Sequence, residues 1–115
     1  MTEKQREIIE GLDWRIHECE LSGGAKGYEL EKYSPAGEDF VFTAEDTRLA
    51  ESIREYAADF DPDGHAEMWV RARYEGKDQT IPSIRELIED ADAINLMLQE
   101  LAAALSKDEM EEEKK

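Results

Sequence analysis

A chain of 115 residues with 40% apolar content has the length of one domain and enough apolar surface to form a core without a metal or a disulfide. Thirty Asp and Glu against fourteen Lys and Arg leave a formal charge of −16, which disfavours direct nucleic-acid binding and docking on anionic lipid and makes a basic protein surface the natural complement. The single cysteine, Cys19, excludes an internal disulfide and a cysteine-based zinc site. Residues Met1 to Glu10 carry no signal-peptide core, and no window reaches the roughly 18 apolar residues of a membrane span, so a cytoplasmic protein is expected.

In chain order, Met1 to Glu10 reads as a helix with Ile8, Ile9 and Leu12 on one stripe and Gly11 at the C-terminal cap. Trp14 to Leu21 fits either a continuing helix or a strand. Gly11 and the Ser22-Gly23-Gly24-Ala25 turn favour the strand. Alternation over Tyr28 to Tyr33, turn chemistry over Ser34 to Gly37 and the apolar run Phe40 to Phe42 predict a hairpin, completing a three-stranded antiparallel meander within Trp14 to Thr43.

Thr43 and Asp46 mark a helix start, after which Leu49, Ile53, Tyr56, Ala57 and Phe60 recur at helical spacing. Asp61 caps and Pro62 opens a second helix carrying Ala66, Trp69, Val70 and Tyr74. A polar loop over Gly76 to Gln79 leads to a Ser83/Glu86 capping box and a long last helix. Its apolar face is Ile84, Leu87, Ile88, Ala91, Ile94, Leu98, Leu101 and Leu105. The charge run from Lys107 predicts a disordered tail. The expected architecture is one α+β domain over 1–106: N-terminal helix, three-stranded meander and three helices, with 107–115 as the tail.

Asp59 to Glu67 places carboxylates like those of an EF-hand loop with Gly64 at the turn position. Val70 stands where the closing carboxylate belongs, so helix capping explains the string better. His65 and Glu67 lack the thiolate ligands of a zinc deaminase, and His17 with Cys19 is a thin basis for nucleophilic chemistry. Trp69, Arg71, Arg73 and Tyr74 mix cations with aromatics, a set that reads as core packing with internal charge partners. No nucleophile, base and oxyanion set emerges, so no enzyme, no cofactor and no metal site is expected. Glu51, Glu55 and Asp59 fall four apart, about 6 Å from one another on one helical face, near the spacing of phosphates along a strand.

The runs Leu30 to Phe40, Glu55 to Asp63 and Pro82 to Ala91 resemble a group of small acidic proteins carried on mobile elements of gut bacteria, a likeness that implies a setting rather than an activity. In element order and charge the chain is also similar to anti-CRISPR proteins that block an RNA-guided nuclease by mimicking DNA. The expected function is an acidic protein-binding module, a nucleic-acid mimic that modulates a DNA- or RNA-handling protein through Glu51, Glu55, Asp59, Asp61 and Asp63. The alternative is a structural or regulatory protein that forms homo-oligomers through apolar residues of its last helix, Leu96, Met97 and Leu101.

Overall fold

The computed structural model describes residues 1–75 and 84–113. Thr2 opens α1 (Glu3–Gly11) with a reciprocal capping box: Gln5 N donates to Thr2 Oγ1 at 3.0 Å and Thr2 N donates to Gln5 Oε1 at 2.9 Å. Gly11 is the last helical residue, not the cap. Leu12 holds the cap position, and the left-handed conformation falls on Asp13 (φ 68°), a residue type that tolerates it. The reversal is closed by Trp14 N donating to Ile9 O at 3.2 Å.

Three strands follow, β1 (Arg15–Glu20), β2 (Lys26–Tyr33) and β3 (Asp39–Glu45), antiparallel in the order β1-β2-β3. Gly23 and Gly24, both at positive φ, supply the first turn, and Gly37 (φ 90°) serves the second. Pairing of Ile16 with Leu30 and of Leu30 with Phe42 aligns one inward row, and Tyr28 with Ala44 makes the next. Arg15, Glu31 and Val41, and likewise His17, Glu29 and Thr43, form rows on the opposite face. Trp14 is buried at the sheet's entrance, edge-on to Phe42 at 5.5 Å, and the antiparallel pairing of Arg15 to Glu20 with β2 shows that the expected strand over Trp14 to Leu21 forms as Arg15–Glu20, not as a continuing helix.

The expected helix start at Thr43 and Asp46 is incorrect. Both Thr43 and Ala44 belong to β3, because Ala44 is buried opposite Tyr28 and continues the inward alternation. Asp46 instead accepts from Tyr28 Oη at 2.7 Å, and α2 (Leu49–Asp59) begins after Arg48. Ser52 Oγ of α2 takes the Glu45 amide at 3.1 Å, joining strand to helix.

Helices α3 (Pro62–Glu75) and α4 (Ile84–Glu113) complete the helical layer. Leu87, Ala91, Ile94, Leu98, Leu101 and Leu105 of α4 are buried at the expected spacing, whereas Ile88 is exposed. The Gly76 to Gln79 loop, Ser83 and the side chains of Trp69, Val70, Tyr74 and Ile84 lie outside the described residues. The expected tail is also corrected: 107–113 are the last turns of α4. Asp108 is buried with Lys4 Nζ 3.1 Å away, and Glu109 meets Arg54 Nη1 at 2.9 Å. Tertiary ion pairs thus hold a charge run that local composition would leave solvated.

One buried carboxylate orders the hairpin over α4. Asp90, 4% exposed, accepts from Ser34 Oγ at 2.7 Å and from Ala36 N at 2.9 Å, while Ser34 Oγ accepts from Glu38 N at 3.0 Å. The Ser34 hydroxyl and the Ala36 and Glu38 amides of that turn are thus all partnered, as burial demands.

Candidate binding face at the α2–α3 junction

The five acids singled out by sequence separate into two groups. Glu51 and Glu55 lie on the exposed side of α2, one turn apart, and both converge on Arg48 at the helix entrance. Arg48 Nη2 is 3.0 Å from Glu51 Oε1 and 2.8 Å from Glu55 Oε1, and Nη1 is 3.4 Å from Glu45 Oε2. Hydrogen bonding and charge from Arg48 hold the Glu51 carboxyl below its ordinary range. The even ladder of negative charge expected over Glu51, Glu55 and Asp59 is therefore interrupted by a guanidinium. That clamp is visible in the sequence as the three- and seven-residue spacing of Arg48 from Glu51 and Glu55.

Asp59 ends α2, the chain reverses through Phe60 in extended conformation, and Asp61 and Pro62 open α3 with Asp63 in its first turn. Asp59, Asp61 and Asp63 are exposed and form no ion pair among the described residues. The positive end of the α3 dipole lowers the cost of holding Asp61 and Asp63 together. The cations preceding and following in sequence are engaged elsewhere, Arg48 by the three glutamates, Arg54 by Glu109 and Ser106 of α4, and Arg71 by Glu67. The EF-hand-like string runs straight into α3, whose helical backbone spreads its carboxylates instead of wrapping them about one point.

Between the end of α2 and α3 lies an open groove of about 610 Å³, lined by Tyr56, Asp59, Phe60, Asp61, His65 and Met68, with Glu67 and Arg71 on one wall. Its floor is fixed by aromatic packing. Tyr56 stacks on Phe42 with centroids 4.6 Å apart and rings 21° from parallel, and Phe60 sits edge-on to Phe40 at 5.8 Å. His65 does not act with Glu67; its Nε2 lies 2.9 Å from Glu38 Oε2 on the hairpin turn, which secures α3 to the sheet. Met68 is 69% exposed at the rim. Sequence reasoning missed this groove because its walls come from two helices and a turn, and Tyr56 reads as a core position.

The other sequence candidates are dispersed. His17 Nε2 is 3.0 Å from Glu31 Oε1 on the open sheet face, and Cys19 is a free, half-buried thiol farther along β1. Arg71 lies 3.4 Å from Glu67 on α3; the side chains of Trp69, Arg73 and Tyr74 lie outside the described residues. On α4, Leu101 is fully buried and Met97 packs on the core, which leaves Leu96, 68% exposed, as the one open member of the apolar trio. Among the described residues no helix is long and apolar enough to cross a membrane, and no group of three or more His, Cys, Asp or Glu is arranged to hold a metal. Comparison with protein-family models, with curated proteins and with solved structures finds no match to this chain.

Proposed function

We propose that the protein is an acidic binding module that docks on a basic protein surface, one that ordinarily holds nucleic acid, through Asp59, Asp61 and Asp63 at the α2–α3 junction. The observation that carries this reading is the local charge imbalance. Arg48 and Arg54, the cations between Glu45 and Asp63 in the sequence, are both engaged by other acids, and the three exposed aspartates have no ion-pair partner among the described residues. Repulsion among them is relieved when a cationic surface approaches, so association is steered by charge and weakened by salt. Glu51 and Glu55 contribute field rather than contact, since Arg48 already occupies their inner oxygens. A nucleic-acid-binding groove is the basic surface most in need of such a complement.

Capture of partners on the immobilised protein at low and at high ionic strength tests the reading, with each retained protein then challenged by duplex DNA and by RNA. Retention that salt abolishes and nucleic acid displaces is expected. Replacing Asp59, Asp61 and Asp63 together by Asn is expected to slow association by about tenfold while leaving thermal melting unchanged, because steering acts on the on-rate. An undiminished association rate in the folded triple variant would sink the proposal.

A further inference from the structure

We propose that the α2–α3 groove receives an arginine side chain of the basic partner, its guanidinium stacked on Tyr56 and bridged by Asp59 and Asp61. The inference rests on the binding reading above and names the chemistry that the groove selects. Three features converge there. The volume, about 610 Å³, lies within the range of about 300–1,000 Å³ typical of ligand clefts. Tyr56 offers an aromatic surface whose position is locked by stacking on Phe42, and its 36% exposure leaves it open on the groove side. Asp59 and Asp61, which form no ion pair among the described residues, add two carboxylates to the groove lining, and the Arg71 guanidinium on the wall is directed to Glu67, so the groove remains net negative.

The same chain shows what such a set does when an arginine is present. On the open sheet face the Arg15 guanidinium carbon sits 4.8 Å from the Tyr33 ring centroid, with Nη2 3.2 Å from Glu31 and 3.8 Å from Asp39. One tyrosine and two carboxylates hold one arginine there. Tyr56, Asp59 and Asp61 bring the same residue types to the lining of the open groove. Arginine fits better than lysine because a planar guanidinium stacks on a ring and meets carboxylates in a fork, whereas an ammonium is a strongly hydrated point charge. The exposed Met68 rim adds a polarizable surface for the aliphatic stem. A second copy of this chain is a poor occupant, since two surfaces of charge −16 repel.

The test uses the whole protein with 13C-labelled methionine methyl groups. It has four methionines, and Met68 alone lines the groove, so its resonance reports occupancy while Met1, Met97 and Met110 serve as internal references. The probes are a blocked glycine-rich peptide carrying two arginines, its lysine counterpart and its citrulline counterpart, the last a neutral isostere of arginine. Expected are a saturable shift of Met68 with the arginine peptide, affinity at least about fivefold weaker for lysine, and no shift with citrulline. Asp59→Asn, at an exposed site, is expected to weaken arginine binding by about fivefold, and Tyr56→Leu by about tenfold. Should Tyr56→Leu fail to fold, the arginine-to-lysine preference and Asp59→Asn decide alone. Equal affinity for arginine and lysine, or an unmoved Met68 methyl, overturns the groove inference. Acidic docking would survive that result, because its own test is the Asp-to-Asn association rate.

Discussion

Asp90→Ala removes a side chain that is 4% exposed and that accepts hydrogen bonds from the Ser34 hydroxyl at 2.7 Å and the Ala36 amide at 2.9 Å. Hydrogen bonds to a charged group contribute about 1.5–3 kcal/mol each, and the change leaves the buried Ser34 hydroxyl and the Ala36 amide without that acceptor. Relief of the carboxylate's desolvation offsets part of the loss, so the net destabilisation is about 2–4 kcal/mol. Asp90→Asn keeps the shape and one acceptor oxygen but loses the second, and costs about 1–2 kcal/mol. Urea unfolding monitored by tryptophan fluorescence reads both variants, and the midpoint should fall with little change of slope, because the sheet and helices stay as they are. Trp14 is the internal reporter, buried beside the sheet that Asp90 fastens to α4. An Asp90→Ala midpoint corresponding to less than about 0.5 kcal/mol would refute the claim that this carboxylate ties the hairpin to the helix.

Gly27→Ala would place a methyl carbon 2.6 Å from Leu21 Cδ1 and 2.9 Å from the Ala44 carbonyl oxygen, and the backbone atom cannot step aside. A loss of about 1–3 kcal/mol is expected, against a gain of about 0.5 kcal/mol for Gly11→Ala, which meets nothing within 4 Å at the end of a helix; thermal melting of the pair checks the contrast. On the open sheet face, hydrogen bonding between Glu31 and Asp39 pushes the Asp39 carboxyl above its ordinary range and, with His17 and Arg15, holds Glu31 below its own. The signs oppose. The Asp39 contribution is fully present below its unfolded value and fades as pH rises through the raised one; the Glu31 contribution is present above its unfolded value and fades as pH falls through the depressed one. Glu31→Gln is expected to lower the Asp39 pKa toward the ordinary aspartate range, since the Glu31 hydrogen bond is the largest cause of its rise; carboxyl NMR titration showing Asp39 unmoved would contradict the pairing.

Much of the fold was legible because local and long-range preferences agree. Turn glycines, period-two alternation in β2 and β3 and the apolar stripe of α4 all point to the same layers. Failures occur where a tertiary partner decides. Ala44 is a good helix former, yet the space opposite Tyr28 keeps it in β3. Asp90 and Asp108 look like solvated charges in an acidic helix, and only the hairpin turn and Lys4 of α1 explain their burial. At the candidate site the exposed acids were readable from spacing, whereas the groove was not, since Tyr56 and Met68 come to line it only once α2 and α3 are both packed on α4.

The same packing accounts for where uncompensated charge collects. Long-range ion pairs take up cations to hold elements together: Lys4 with Asp108 joins α1 to α4, Arg54 with Glu109 joins α2 to α4, and Arg15 with Glu31 spans β1 and β2. Cations committed to such contacts cannot also neutralise the acids of exposed turns. The α2–α3 reversal is one of these turns: Asp61 and Asp63 lie at the positive end of α3, Asp59 closes α2 at that helix's negative end, and none of the three forms an ion pair among the described residues. Two like charges cost on the order of 1 kcal/mol at about 4 Å in water and less at wider spacing, and the cost falls with salt. A cationic partner removes that cost upon binding. Acidic residues that pair internally serve the fold, and under the proposed binding role the aspartates at 59, 61 and 63, which form no ion pair among the described residues, are the ones that gain from association.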